Sequence, residues 1–416
     1  MSDAALQLTS HETEILAGAA GPGAALAMRV VARFAEVLGA TSLIKVTSAH
    51  IDGCGLLSES SLEFAEHLAE LGAVVTIPAT LSMGPLDLQN WQAWDIPKPF
   101  AAKALRQAEA YQKMGCIPCW TCAPYQSYLI PRFGQHVAWG ESNAVCYANS
   151  VLGARTNRCA DFLDICAAII GRVPRWGLHL NANRLAKIHC ELVGFDDTFW
   201  HEELHHAALG SLLGRLVGDD VPVLTGLPSE VSNDCLKALG AAAASSGSLA
   251  MFHAVGITPE ATTFAIATGG ATPKNTFQIT PEDLAATLEE LHTAPRDAKV
   301  DQIVLGCPHF SFEQFTQLAE IIASLGEGAS AKIPLTVITA ATTLLLVQRA
   351  GLLPAIEAFG VRITCDTCLF HTPLLPKTTR ILMTNSGKCA YYAPGELDVE
   401  VCVGTIEQCV LRAEAG

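Results

Sequence analysis

The sequence predicts an α/β protein built on parallel sheets, and three observations predict it. In the last third of the chain, short apolar runs alternate with capped, helix-like segments, which is the pattern of βαβ units. Half of the 416 residues are apolar and 16% are charged, enough apolar surface for large cores in two or three domains of about 100–200 residues each. The apolar runs end in turns of Gly, Cys, Ser and Asn, and parallel sheets keep their ligands beyond such carboxyl ends.

In chain order, 13–39 is Ala-rich and helical, interrupted at Gly21-Pro22-Gly23. The run 42–47 reads as a strand leading into the polar cluster Ser48-Ala49-His50-Ile51-Asp52-Gly53. A helix over 61–71 passes into a strand over 73–77, and 102–114 is helical. From 115 to 158 the chain is dense in Cys, Gly, Pro, Asn and aromatics without a long period, as active-site loops are. A helix over 199–218 and a buried strand over 221–224 follow. Thr280 caps a helix with Pro281 in its first turn, running to about His292. The strand 300–305 ends at Gly306-Cys307-Pro308-His309. Ser311 and Gln314 then form a capping box for a helix stopped by Gly326. The strand 335–339, the helix 342–350 and the strands 361–364 and 380–383 complete the pattern; the last two end at Cys365-Asp366-Thr367-Cys368 and at Thr384-Asn385-Ser386-Gly387-Lys388-Cys389. There is no internal repeat.

Composition excludes several classes. The apolar content rules out disorder. With 26 Lys+Arg against 41 Asp+Glu the net charge is −15, which disfavours nucleic-acid binding. The apolar run 333–348 is interrupted by Pro334 and is shorter than the roughly 20 residues of a span. No basic and apolar leader opens the chain, so a soluble, cytoplasmic protein is expected. The cysteine count, 15, is odd, which argues against a secreted disulfide framework and leaves buried thiols or metal ligands.

Cys307 and Cys389 each follow a strand in a Gly-containing turn, where thiolates can enter a cleft and amides can face the sulfurs. Cys116-Ile117-Pro118-Cys119-Trp120-Thr121-Cys122 holds two successive C-x-x-C steps, suited to zinc or iron–sulfur; Cys365 and Cys368 could complete a zinc site instead. Arg155 and Arg158 are three apart and share a face if helical, so their guanidinium forks could grip a carboxylate; a solvated helix face fits the same spacing. His50, His179 and His309 could serve as acid, base or ligand, or as hydrogen-bonded core residues. His205-His206 lies on an amphipathic helix and is expected to be solvated.

These residues carry a resemblance. The segments Ser48 to Gly53, Thr121-Cys122-Ala123-Pro124-Tyr125, Gly140-Glu141-Ser142-Asn143-Ala144 through Asn149-Ser150 to Arg155-Thr156-Asn157-Arg158, Gly306 to His309, and Asn385 to Cys389 together resemble the aconitase X family over nearly the whole chain. The resemblance implies an aconitase-like α/β fold, with several parallel-sheet subdomains around a central cleft. It divides the chain into an N-terminal α/β region over 1–274, of two interleaved subdomains, and a C-terminal βαβ domain over 275–416. It also implies a hydro-lyase that holds iron, most simply [2Fe–2S], with mononuclear iron or [4Fe–4S] as alternatives, on Cys122, Cys307 and Cys389; Cys365 and Cys368 are the rival ligands. The family's small swivelling domain, which supplies a serine base, has no room before Gly416, so a separate small subunit is expected. Substrate contacts are expected from Ser48, Asp52, Asn149, Ser150, Arg155, Arg158 and Ser386. His50 and His309 are expected to assist proton traffic and Lys388 to supply positive charge. Of the family's two branches, dehydration of cis-3-hydroxy-L-proline to 1-pyrroline-2-carboxylate is favoured over dehydration of phosphomevalonate, since no basic cluster awaits a phosphate. A non-catalytic zinc-stapled binding protein is the reading from another class.

Overall fold

The computed structural model describes residues 5–126 and 128–416. Gly21, at φ 90°, and Pro22 split the first helical stretch into α1 (Ser10–Leu16) and α2 (Pro22–Val37), because Pro lacks the N–H that would continue the first helix. Strand β1 (Leu43–Lys45) leads to β2 (Ala49–Ile51), α3 (Glu59–Glu70), β3 (Ala79–Leu81), α4 (Lys98–Lys113), β4 (Ala138–Trp139), α5 (Ser142–Ser150), α6 (Leu163–Ile170) and β5 (Arg172–Pro174). β2 lies between β3 and β4, both parallel to it, while β1 pairs antiparallel with β5. The strand expected over 73–77 does not form. Val75 N–H instead donates to Met114 and Thr76 N–H to Ala168, so the segment bridges two helix ends and pairing starts after Pro78.

A second parallel sheet follows. β6 (Ile188–Leu192), α7 (Glu203–Val217), β7 (Pro222–Thr225), α8 (Asn233–Gly247), β8 (His253–Ala254), α9 (Phe264–Thr268), β9 (Asn275–Ile279) and α10 (Pro281–Leu291) give the order β8-β7-β6-β9. β9 pairs with all five residues of β6, from Ile188–Asn275 to Leu192–Ile279. A boundary at 274/275 would therefore cut a strand from its sheet; the division that respects pairing falls beyond α10. His206, expected in solvent, is buried, with Nε2 against the Trp200 carbonyl at 3.0 Å.

The third sheet orders its strands β12-β11-β10-β13-β14, all parallel. Its elements are β10 (Gln302–Leu305), α11 (Phe312–Ser324), β11 (Leu335–Thr339), α12 (Ala341–Arg349), α13 (Leu353–Phe359), β12 (Val361–Cys365), β13 (Ile381–Thr384), α14 (Gly387–Leu397), β14 (Glu400–Val403) and α15 (Ile406–Ala415). The capping boxes read from Thr280 and Ser311 are both present. An apolar core fills each unit, around Ile51 and Leu68, around Leu209 and Phe252, and around Phe310 and Phe315. No helix among the described residues is long and apolar enough to cross a membrane.

The first and third units are fastened together beside their strand ends. Gly84 N–H donates to the Asp366 carbonyl at 2.5 Å, Cys365 N–H to Asp87 Oδ2 at 3.1 Å, and the Thr372 hydroxyl to the Pro85 carbonyl at 2.8 Å. A Cβ at Gly84 would stand 2.8 Å from the Asp366 oxygen, so only glycine permits the approach.

Candidate active site

The carboxyl ends of β2 and β4 face those of β10, β12 and β13 across a cleft of about 320 Å³, whose lining includes Asp52, Glu141, Arg158, Asp161, Cys368 and Lys388. Each strand end delivers a different chemical group. β10 delivers Cys307 and β12 delivers Cys368. β13 delivers Lys388 and Cys389 on the first turn of α14, where Ser386 is the N-cap: its Oγ accepts from Cys389 N–H at 3.0 Å and donates to the Cys307 carbonyl. One hydroxyl thus ties two of the cysteine turns together. The 115–123 loop bends at Trp120 (φ 46°) and brings Cys122 across, where its sulfur accepts the His309 N–H at 3.2 Å.

Cys307 is the hub of the thiols. Cys389 lies within hydrogen-bonding reach of it; that contact, then burial, raises the Cys307 thiol well above its ordinary range. Its charge is also felt at Cys122 and Cys368, both of which burial raises first, the latter to about 12. Cys365 turns away: after burial its neighbours are Asp366 and Asp87. Cys119 donates to the Leu81 carbonyl at 3.1 Å, and Cys116 lies in the first core. The two C-x-x-C steps therefore send their sulfurs to different places and do not assemble a zinc site. Among the described residues, no three His, Cys, Asp or Glu side chains already form a closed metal-binding group. The donor set itself, soft sulfurs around Cys307 with one amide aimed at Cys122 and an ammonium nearby, suits an iron–sulfur centre.

Lys388 Nζ donates to Glu141 Oε1 at 2.6 Å, with side chains only 13% and 4% exposed. Burial opposes the charge on Lys388, but Glu141 and the Cys307 and Cys122 sulfurs outweigh it and hold the ammonium well above its usual range. Burial likewise opposes ionisation of Glu141. Lys388, the Ala144 N–H and the Asn143 amide reverse that, and the carboxyl sits below its ordinary value. Glu141 is the N-cap of α5; its other oxygen accepts from Ala144 at 2.8 Å, and Tyr125 steadies Asn143 at 2.8 Å.

Asp164 shapes the turn after β2. Its Oδ2 accepts the N–H groups of Asp52 at 2.6 Å and Gly53 at 3.1 Å, and its Oδ1 that of Ile165 at 2.6 Å. Those two amides are consequently engaged by Asp164 and do not face a ligand. Burial raises Asp164 from 3.8 to about 7 against these donors. The folded chain keeps this proton until about pH 7 while the unfolded chain gives it up near 4, so the stability contributed falls as pH rises across that window. Asp164→Asn is expected to flatten the decline; urea midpoints of both proteins between pH 4 and 7 check it.

His309 and His50 are neutral at physiological pH. His309, pushed down to about 4 by burial, has Nε2 at 2.7 Å from the Thr367 carbonyl and Nδ1 at 3.3 Å from the Thr121 hydroxyl. With both ring nitrogens engaged it holds loops in place and is not free to carry protons. His50, also lowered to about 4 by burial, contacts the Thr80 hydroxyl at 2.8 Å; its Nε2 is buried near the Thr121 carbonyl without a bond of normal geometry.

Several expected substrate contacts lie elsewhere. Ser48 precedes β2, at the end of the strand away from the cleft. Asn149 is fully buried and bonded to Thr156, Ala250 and Arg184, and Ser150 Oγ accepts from Phe252 N–H at 2.9 Å. Both staple the first unit to the second. The 151–162 segment is not helical: it bridges His136 through Arg155 and Trp139 through Arg158. In extended chain an odd spacing sends side chains to opposite faces, so Arg158 enters the cleft while Arg155 bonds Asn181 behind it. Arg184, 1% exposed, pairs with Glu260 and donates to the carbonyls of Leu178, Asn149 and Ala154. Arg184→Met is expected to cost about 3 kcal/mol or more by urea unfolding, because it leaves buried acceptors unpaired. His179 is also far from the cleft, its Nδ1 2.9 Å from that of His136. Glu141, Asp161 and Asp164 are not singled out as site residues by the sequence. The strand–turn–helix order at Gly140-Glu141-Ser142 was the one available signal for an N-cap at the cleft.

This is the fold and site of a hydro-lyase. The chain is 40% identical to the cis-3-hydroxy-L-proline dehydratase of Pseudomonas aeruginosa, over 100% of this chain and 71% of that protein. It is 40% identical to the one from Hypocrea jecorina, over 97% and 68%. It is 35% identical to the phosphomevalonate dehydratase large subunit of Methanocaldococcus jannaschii, over 97% and 99%. The crystal structure of Thermococcus kodakaraensis aconitase X in its holo form superposes with a TM-score of 0.87 at 32% identity, covering 98% of this chain and 100% of that one. Family models for the aconitase X first, second and third domains match residues 5–182, 183–289 and 300–415. The chain belongs to the aconitase X family and is a dehydratase.

Proposed function

We propose that this chain dehydrates cis-3-hydroxy-L-proline to 1-pyrroline-2-carboxylate, holding a [2Fe–2S] centre on Cys122, Cys307 and Cys389 and working with a small subunit that supplies a serine base. The carrying observation is the cleft itself, where sulfurs from remote strand ends stand beside the buried Lys388–Glu141 pair and Arg158. When bound, the iron centre supplies a Lewis acid for the departing hydroxyl. Lys388, held by Glu141, offsets the negative charge that develops as the proton on the carbon beside the carboxylate is removed. Arg158 grips that carboxylate. Asp164 locks the Asp52–Gly53 turn, and His309 and Ser386 hold the Cys122, Cys307 and Cys389 loops. The charge of the cleft favours this substrate over phosphomevalonate: once Lys388 is matched to Glu141, Arg158 is the one remaining cation among the described residues of the lining and faces the carboxyls of Asp161 and Glu396, too little positive charge for a phosphate dianion and a carboxylate together. The phosphomevalonate reading draws on the end-to-end match to the archaeal large subunit.

Anaerobic co-expression with the small subunit, followed by an assay for pyrroline carboxylate, tests the proposal. Turnover of cis-3-hydroxy-L-proline is expected. Turnover of phosphomevalonate alone overturns the substrate, and one tightly held zinc with no reaction overturns the enzyme mechanism.

A further inference from the structure

Asp161 enters the cleft through an unusual piece of backbone. Phe162, the next residue, has φ 73°, a left-handed conformation that is unfavourable for a non-glycine residue and persists only where surroundings hold it. The turn lies directly on the end of β2: a Cβ at Gly53 would meet Phe162 N at 3.4 Å and Asp161 Cα at 3.7 Å. Asp161 is thereby placed at the cleft mouth next to Asp52, whose carboxyl is pushed well above its usual range by burial and then by the charges of Glu141, Asp161 and Asp164. Arg158 stands on the same wall, close enough for its charge to act on Asp161, and both side chains are exposed at the mouth. One acceptor is unmatched: Asp52 Oδ1 is buried and has no donor. The cleft so presents a guanidinium and, on the same wall, the Asp161 carboxyl with a free acceptor on Asp52 beside it.

We propose that Asp161 and Asp52 read the ring ammonium of the substrate while Arg158 reads its carboxylate, so that the cleft selects a zwitterionic amino acid. The proposal rests on the dehydratase reading of this cleft and assigns its specificity to named residues. A carboxylate and an ammonium on one carbon need an acid and a base side by side, which this wall supplies. A phosphate dianion would meet the Asp161 carboxylate and be repelled. Contact with the Asp161 carboxylate and the Asp52 acceptor also keeps the ring nitrogen protonated, and an adjacent ammonium makes the neighbouring C–H easier to ionise.

L-proline lacks the leaving hydroxyl and reports binding alone; tetrahydrofuran-2-carboxylate replaces its ring nitrogen with oxygen. Calorimetric titration of both into the assembled, iron-loaded enzyme tests the assignment. L-proline should bind more tightly than the oxygen analogue. Asp161→Asn should weaken L-proline about fivefold or more, the loss of one partly exposed charge contact of about 1 kcal/mol, while leaving the analogue unchanged. Equal binding of the two ligands to the wild-type enzyme overturns the proposal, whether or not any variant folds. So does an Asp161→Asn variant that weakens both alike. A dehydration assay on the same preparation separates the two claims. Preference for L-proline without formation of pyrroline carboxylate sinks the reaction and keeps the ammonium assignment; turnover without that preference does the opposite.

Discussion

Cys307→Ser is expected to strip the protein of iron and to lower dehydratase activity by more than about 100-fold. Removing a residue that merely orients a metal ligand costs about 10–100-fold, and a ligand costs more. Cys307 is the most informative sulfur to remove because it reaches Cys389 by a direct contact and lies close enough for its charge to act on Cys122 and Cys368. Cys365→Ser is the matched control. That residue is buried, at 7% exposure, and sits at the end of its strand as Cys307 does, but its charged neighbours are Asp366 and Asp87. Iron content by metal analysis and visible absorption should fall in the first variant and persist in the second. The reverse pattern would transfer the metal to the Cys365–Cys368 pair and overturn the ligand set proposed above.

Breaking the Lys388–Glu141 pair should have the second largest effect, and it should act on two measurements at once. Lys388→Met leaves Glu141 charged and 4% exposed, with Ala144 and Asn143 as its remaining donors. A buried charge deprived of its partner costs about 3–5 kcal/mol, which urea unfolding would read directly. Activity should fall about 10²–10³-fold, the usual loss when one group stabilising developing charge is removed. Adding Glu141→Gln to Lys388→Met should restore most of the stability and none of the activity. If the double variant recovers both, the pair is a structural tie and the charge-stabilising group lies elsewhere. If Lys388→Met is as stable as the wild type, the side chain is more hydrated than its 13% exposure indicates.

The strand ends carrying Cys307, Lys388 and Cys389 were legible in the sequence because everything that specifies them is local: an apolar run, a turn residue, a cap. The capping boxes at Thr280 and Ser311 were legible for the same reason. The misplacements share a different cause. Arg155 and Arg158 were paired by assuming a helical period, and the extended backbone of that segment sends them to opposite faces. Asn149 and Ser150 looked available for a ligand, but their partners Ala250 and Phe252 come from the next sheet. Glu141 had no visible role because its partner is 247 residues away. A residue's neighbours along the chain report its backbone; they do not report which distant segment takes up its polar atoms.

The contact between Gly84 and the Asp366 carbonyl has a consequence for how the enzyme opens and shuts. The wall that carries Asp52, Glu141 and Arg158 and the wall that carries the thiols are joined at their base with no slack for even a methyl group. The two walls cannot be pressed closer here, so any change in the width of the cleft turns about this join as about a fulcrum. Leu57, Phe370 and Tyr392 line the cleft above that pivot, so a molecule entering it slides past apolar and aromatic surface, like a cork past the lip of a flask.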